Sequence, residues 1–158
     1  MTSLEEVTMC RGKQMLGHDE AASWPHPDSP GPARRTALFE GSDGAEATAV
    51  WRVLDRMDVD TMWCPGPGRG HSPRCSLIET GHCDLLEKAD FVLNDLGTAD
   101  TYGAAVAHAV DEAVHGDKHV AVVAGWQHAE SVRSRLPGST VVEGPLTTQI
   151  VEDVARVR

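Results

Sequence analysis

FVLNDLGTADTYGAA (residues 91–105) joins a buried strand to a helix. Its apolar run ends at Asn94 and Asp95, and after Leu-Gly-Thr the apolar residues take helical spacing. A strand that leads directly into a helix is the building unit of a parallel α/β sheet. In such sheets, sites form outside the carboxyl ends of the strands, where Asp95 would lie. The segment therefore predicts a fold class and a first candidate residue.

The same alternation continues through most of the chain. Short apolar segments predict five strands, at 36–40, 61–64, 89–93, 119–124 and 140–142. Helical stripes follow four of them, the longest from Tyr102 to Val114 and the last from Ile150 to Val157. We therefore predict an α/β domain over residues 35–158, with a doubly wound five-stranded parallel sheet. Residues 1–34, which are rich in proline and glycine near WPHPDSPGP, are predicted to be a flexible lead-in.

The bulk composition argues against two classes of partner. The chain of 158 residues has a formal net charge of −10, and its 14 basic residues are scattered, whereas nucleic-acid binding depends on clustered Lys and Arg. No apolar run approaches the roughly 20 residues of a membrane helix, and the first residues lack the pattern of a secretory signal. We therefore expect a cytoplasmic protein that binds neither nucleic acid nor membrane. In that compartment its four cysteines would be reduced.

Acidic residues mark the ends of the predicted strands. Glu40 ends the first strand, Asp43 lies in the turn after it, and Asp95 follows the third. Because parallel strands end at one edge, these three residues are candidates for a shared switch surface, with Glu143 after the fifth strand at the same edge. The alternatives are local. Asp95 could cap the following helix or bind nearby backbone amides, and Asp43 with Glu46 forms a capping-box pattern at a helix start.

Two segments resemble the receiver domain of response regulators. FVLNDLG (91–97) is similar to the third strand of that family, whose phospho-accepting Asp corresponds to Asp95. VVEGPLTTQIVEDV (141–154) is similar to the fifth strand, the Lys-Pro turn and the final helix, with Pro145 at the proline position. The resemblance covers roughly residues 36–158. It implies a flavodoxin-like fold and a regulatory, non-enzymatic module that binds a protein partner or a second copy of itself.

The chain departs from the receiver pattern at the positions that support phosphorylation. Receivers hold Mg²⁺ with an acidic pair after the first strand, of which Glu40 fits one position and Gly41 occupies the other. The family's Ser or Thr after the fourth strand falls on Ala124 or Gly125, and its Lys is Gly144. Phosphoryl transfer needs a cation and donors that neutralise developing charge. The resemblance thus implies a degenerate receiver, in which Asp43 could replace the missing acid only by reaching and Mg²⁺ is less expected.

The connection after the second strand, residues 64–90, is rich in soft metal ligands. Cys64, Cys75 and Cys83 alternate there with His71 and His82, which suits Zn or an iron–sulfur cluster. The spacing contains no C-x-x-C pair, and two alternatives remain open: buried small hydrophobes, or a disulfide between Cys75 and Cys83. We predict that this Cys-containing loop replaces or modifies the second helix of the receiver pattern. A metal- or cluster-binding redox or sensor protein is therefore the alternative function, and a small enzyme with a pocket at the sheet edge is a third.

Overall fold

A five-stranded parallel sheet forms the centre of the molecule. The computed structural model describes residues 33–66, 74–97 and 101–157. The strands are β1 (Arg35–Gly41), β2 (Val59–Cys64), β3 (Phe91–Asp95), β4 (His119–Ala124) and β5 (Thr140–Glu143). They lie in the order β2-β1-β3-β4-β5, and every neighbouring pair is parallel. The predicted sheet is confirmed.

Five helices lie between the strands of the described chain, and a sixth follows β5. They are α1 (Gly44–Asp55), α2 (Ser76–Thr80), α3 (Asp84–Lys88), α4 (Thr101–Val114), α5 (Ala129–Arg135) and α6 (Thr148–Arg156). The short helices α2 and α3 occupy part of the connection that the sequence predicts as a Cys-containing loop; the described residues leave out 67–73. No helix of the described segments is long and apolar enough to span a bilayer.

The two faces of the sheet bury separate cores. Side chains alternate along each strand, so Leu38 and Val92 pack with α2, α3, α4 and α5, whereas Phe39 and Leu93 pack with α1 and α6. All four side chains are at most 1% exposed, and each contributes about 1.5–3 kcal/mol through burial. Helices on both faces make the sheet doubly wound. The same alternation along the strands decides which face of the sheet each side chain at the carboxyl edge points to.

The predicted helix stripes are mostly buried. Val106, Val110 and Val114 of α4 lie in the core, as the apolar spacing predicts. The stripe is wrong at its first position, because Tyr102 lies in the first turn of α4 and is 61% exposed. It is also wrong at Val157, which lies beyond the end of α6 and is 44% exposed. Within α4, the small stripe residues Ala105 and Ala113 are exposed as well.

Candidate functional site

Asp95 is the last residue of β3 and lies in the middle of the carboxyl edge of the sheet. It pairs in register with Gly41 of β1. Leu93, two positions earlier, packs in the core formed with α1 and α6, so the Asp95 side chain points toward the same face. Its carboxyl group is partly buried there. The strand begins and ends two positions later than the predicted 89–93, so Asp95 belongs to the strand itself.

The side chain that interacts with Asp95 is Glu46, in the first turn of α1. The helix begins after Asp43, whose Oδ1 accepts a hydrogen bond from the Ala45 backbone N at 2.7 Å. This confirms Asp43 as the N-cap. Glu46 follows three residues later, and its carboxyl group is close enough to that of Asp95 for the two to influence each other's pKa. Because an ionised carboxylate only accepts hydrogen bonds, a hydrogen bond between the two groups requires a proton on one of them.

Burial raises the pKa values of both carboxyl groups, Glu46 and Asp95. Burial raises the pKa of Glu46 from 4.5 to about 7, and the negative charge of Asp95, the hydrogen bond with Asp95 and the charge of Asp43 add to the effect. Burial also raises the pKa of Asp95, while its hydrogen bond with Glu46 acts in the opposite direction. The two groups titrate together, so the proton belongs to the pair.

Glu40 lies at the same edge but on the opposite face. It is only 4% exposed, and its Oε2 accepts a hydrogen bond from Asn94 Nδ2 at 2.7 Å. The two residues are register partners on β1 and β3, on the face that carries Leu38. Glu40 and Asp43 therefore do not form the acidic pair that the resemblance implies for Mg²⁺. The residues present do not fit that arrangement of ligands.

The remaining edge positions carry neither a hydroxyl nor an ammonium group. Ala124 ends β4 and Gly125 follows it. Gly144 has a φ of +100°, and a Cβ atom there would lie 2.8 Å from Trp126 Nε1. A lysine at this position would be strained by the backbone conformation and would require the Trp126 indole to move. The indole of Trp126, which is 73% exposed, instead covers this part of the edge.

Glu143 ends β5 at the carboxyl edge, as the parallel sheet requires. Its carboxylate accepts a hydrogen bond from Arg133 of α5 and forms an ion pair with it. The predicted shared edge is therefore divided: the charges of Asp43 and Asp95 act on Glu46, Glu40 faces the other side, and Glu143 is paired with Arg133.

The cysteine connection has its own arrangement. Cys64 and Cys75 are buried within the core that α2 to α5 cover, and Cys83 packs against it. Within the described segments, one group of metal-ligating side chains has its ligand atoms within 4.8 Å of one another: His82, Asp84 and Glu87. The three sulfurs do not meet this criterion, and His71 lies outside the described residues. A metal centre built from the cysteines stays a prediction.

Comparisons with known proteins identify the architecture. No protein-family model matches the sequence, and no curated protein is similar enough to match it. Solved structures do match. A CheY-like response regulator receiver domain protein from Methanospirillum hungatei is 17% identical, with a TM-score of 0.55 over 78% of this chain and 92% of that one. The fold is that of a receiver domain. This confirms the resemblance at the level of the receiver fold.

Two further solved structures with this fold have different descriptions. One is a response regulator from Burkholderia pseudomallei with a phosphorylated aspartic acid, a calcium ion and citrate, 11% identical, with a TM-score of 0.54 over 76% of this chain and 65% of that one. The other is a putative pilus assembly protein from Burkholderia thailandensis, 12% identical, with a TM-score of 0.54 over 77% and 95%. At such identities the likeness establishes the receiver fold, and function has to be argued from the site.

Glu46 is the site residue that sequence reasoning missed. The pattern Asp43-x-x-Glu46 predicts a capping box, in which the Glu side chain turns back to its own helix start. In the structure Asp43 is the cap, and the pKa of Glu46 responds to Asp95 at the end of β3. The order of elements could have indicated it, because α1 follows β1 and a receiver-type strand order puts β1 beside β3. The first turn of α1 then lies next to Asp95.

Proposed function

We propose that this chain is a non-enzymatic regulatory module that acts in the cytoplasm by binding a protein partner, and that phosphorylation of Asp95 is not its switch. The observation that supports this proposal is the acidic environment at the end of β3, where the negative charges of Asp95 and Asp43 both act on Glu46. Asp95 occupies the place where the receiver resemblance puts the phospho-acceptor. The receiver fold is retained, while the chemistry at its central position differs.

The neighbours of Asp95 disfavour a phosphoryl group on that residue. A phosphoryl group brings negative charge, and here it would enter beside Glu46 and Asp43. Two like charges about 4 Å apart near a protein surface repel by about 4 kcal/mol. The ammonium group that would offset such charge is replaced by Gly144, whose conformation disfavours a lysine. Transfer to Asp95 would therefore lack the electrostatic stabilisation that phosphoryl transfer needs.

Exposed aromatic side chains at the same edge support binding of a protein. Trp126 is 73% exposed and Tyr102 is 61% exposed. The first follows β4 and the second lies in the first turn of α4, so both belong to the carboxyl edge. Aromatic residues are enriched in the centres of protein interfaces, where they contribute large apolar area at low entropic cost. A second copy of this chain would use the same aromatic residues.

Phosphorylation is tested with acetyl phosphate. The purified chain, the Asp95→Asn variant and a response regulator known to accept phosphate from this reagent are treated together and analysed as intact proteins by mass spectrometry. We expect the phosphoryl adduct on the positive control and on neither form of this chain. An acid-labile adduct that appears on the native chain and is absent from Asp95→Asn would refute the proposal.

Partner binding is tested by photo-crosslinking in the cells that produce the protein. A benzoylphenylalanine replaces Trp126 in one variant and Asp117, an exposed residue just before β4 and thus at the opposite edge, in a matched control. We expect a discrete adduct from position 126 only. The captured protein is then purified, and Trp126→Ala should weaken its binding about tenfold, as loss of an aromatic interface residue does. Equal crosslinking from both positions, or none from position 126, would contradict the proposal.

A further inference from the structure

We propose that His82, Asp84 and Glu87 bind one Zn²⁺ ion on the surface of the connection between β2 and β3. Among the described residues, these three side chains form a group whose ligand atoms all lie within 4.8 Å of one another. The site uses nitrogen and oxygen ligands and none of the cysteines. It goes beyond the proposed function and is a property of the isolated chain, so it can be tested without a partner.

The local structure brings the three side chains together. Helix α2 ends at Gly81, whose φ of +73° turns the chain, and His82 lies in the short connection that follows. Helix α3 begins at Asp84, and Glu87 lies three residues later on the same side of that helix. His82 Nε2 is 2.8 Å from Asp84 Oδ1, and His82 Nδ1 is 3.0 Å from Glu87 Oε1. Two carboxyl groups therefore flank one imidazole ring.

Contacts with the rest of the domain hold the backbone beneath these side chains. Leu86 of α3 is 5% exposed and belongs to the core. Lys118 Nζ donates hydrogen bonds to the backbone O atoms of Leu86 at 2.7 Å and Glu87 at 2.8 Å, which fastens the end of α3 to the start of β4. The side chains of His82, Asp84 and Glu87 are each more than half exposed. An ion can therefore reach them from solvent, and they can adjust to it on a fixed backbone.

The charge of the group favours a divalent cation. Two ionised carboxylates beside a neutral imidazole carry two negative charges, which one divalent ion neutralises. A proton on His82 would neutralise only one of them, and the ion replaces that proton because a ligating imidazole is neutral. In the groove beside the group, the other charged residues are Asp117 and Lys118. These two have opposite signs, and the ammonium of Lys118 is already bound to backbone carbonyl oxygens.

The ligand types select zinc over the common hard cations. Mg²⁺ and Ca²⁺ prefer sites built from oxygen ligands, whereas imidazole nitrogen suits Zn²⁺, which also accepts carboxylate oxygen. A tetrahedral Zn²⁺ ion with bonds of about 2.1 Å keeps its ligand atoms about 3.4 Å apart. Rotation of exposed side chains can bring atoms that already lie within 4.8 Å to that separation. Three protein ligands leave the fourth position to water.

The ion would stabilise the part of the fold that has the shortest helices. Helices α2 and α3 have five residues each, and helices of that length are not stable by themselves in water. Zn²⁺ would join His82, which precedes α3, to both acidic residues of the first turn of that helix. Because the group is assembled only in the folded chain, binding should raise the unfolding temperature.

The test is a titration of the purified full chain with ZnCl₂, after treatment with EDTA and desalting, followed by isothermal titration calorimetry. We expect one Zn²⁺ per chain. His82→Ala, Asp84→Asn and Glu87→Gln should each weaken the affinity by at least about tenfold, since even residues that only orient metal ligands have effects of that size. At a hundredfold excess of Zn²⁺ over Kd, the unfolding temperature of the native chain should rise by about 5–10 °C. The three variants should show a smaller rise.

Two kinds of control test the assignment of ligands. His108→Ala alters an exposed histidine that lies 3.3 Å from a single carboxylate, that of Glu112, and it should leave the affinity unchanged. Cys75→Ser and Cys83→Ser should also retain binding. Absence of saturable binding, undiminished binding by His82→Ala, or loss of binding in either cysteine variant would overturn the inference.

A measurement on the native chain removes dependence on how the variants fold. In a long-range ¹H–¹⁵N correlation spectrum, one equivalent of Zn²⁺ should shift a ring nitrogen of His82, which is assigned with His82→Ala, and leave His108 unchanged. A His82 resonance that does not respond would overturn the inference.

Failure of this inference and failure of the proposed function are distinguishable. The group lies beside Lys118 at the start of β4, whereas Asp95 and Trp126 lie at the opposite edge of the sheet. A phosphoryl adduct on Asp95 would refute the proposed function and leave the zinc titration as measured. Absence of zinc binding would leave the crosslinking result from position 126 as it stands.

Discussion

The amino edge of the sheet and the surroundings of Asp95 at the carboxyl edge differ in the charged side chains that they bring together. At the amino edge, Arg34 lies 3.2–3.4 Å from Asp55, Asp58 and Asp60, so three carboxylates share one guanidinium. At the carboxyl edge, the negative charges of Asp43 and Asp95 both act on Glu46, and no cation is among the causes that shift its pKa. Since both edges consist of strand ends and turns, topology alone does not explain the difference. An edge where like charges are left together costs stability, and such costs concentrate at functional sites.

The largest effect is expected from Asn94, which supports the buried acid at the carboxyl edge. Asn94→Ala removes the donor to Glu40 and leaves space in a position that is 1% exposed. A lost hydrogen bond to a buried charged group, with a small cavity, costs about 3 kcal/mol. Urea unfolding measures it. Glu40→Gln, which keeps an acceptor for Asn94, is the control and should cost much less; equal losses would show that the bond itself contributes little.

At the amino edge, the corresponding residue is Arg35. Its guanidinium donates to the backbone O atoms of Ala155 at 2.6 Å and Val157 at 2.9 Å, and it lies 4.8 Å from the ring centroid of Phe91. Arg35→Ala should lower the free energy of unfolding by about 2 kcal/mol, because the end of α6 loses its donors and the ring loses its cation. Arg35→Lys should recover part of this. A negligible change in urea unfolding would contradict the expectation that this edge is structural.

Glu46 provides the sharpest test of the comparison, because removing its charge should stabilise the protein. Its pKa in the folded chain is raised from 4.5 to about 7, so its contribution to stability is complete below pH 4.5 and is lost as the pH rises through 7. Glu46→Gln has no such loss. We expect the variant to match the native chain near pH 5 and to exceed it by about 1 kcal/mol at pH 8, a figure reduced for the partial exposure of the group.

The measurement is chemical denaturation at both pH values. Glu112→Gln, an exposed acid on α4 that lies 3.3 Å from His108, serves as the control and should not gain stability at pH 8. A variant Glu46→Gln that is equally stabilised at both pH values would show that the gain has another cause.

The sequence predicts the sheet well because the signals for strands and helix caps lie within short segments of the chain. HVAVVA is a strand in any context that buries both faces, and Asp43 caps α1 because its side chain reaches an amide two residues away. The site depends on quantities that are not local. The register that pairs Glu40 with Asn94 and Gly41 with Asp95 decides that Glu40 and Asp95 face opposite sides. That register is set by packing across the sheet, and no run of residues displays it.

Dependence on packing across the sheet also explains why the exposure of Tyr102 and the conformation of Gly144 could not be predicted from the sequence. Tyr102 continues an apolar stripe in the sequence, yet it stands 61% exposed in the first turn of α4. Gly144 stands where the receiver resemblance has a lysine, and its positive φ becomes apparent only with the backbone in place. Helix periodicity predicts which side chains face the sheet and does not say how far the sheet extends beneath the helix. Edge residues are therefore the least predictable ones.

The smallest expected change in stability comes from Arg34 at the amino edge, and its salt dependence distinguishes that edge from the carboxyl edge. Arg34→Met removes the cation that Asp55, Asp58 and Asp60 share and retains the apolar stem. All four side chains are at least 39% exposed, so we expect a loss of about 0.5–1 kcal/mol that disappears near 1 M salt, where exposed charges are screened within about 3 Å. The gain from Glu46→Gln at pH 8 should shrink less under the same conditions, because burial is the largest cause of the shift at Glu46. Urea unfolding at low and high salt compares the two, and equal salt dependence would mean that the carboxyl edge is as solvated as the amino edge.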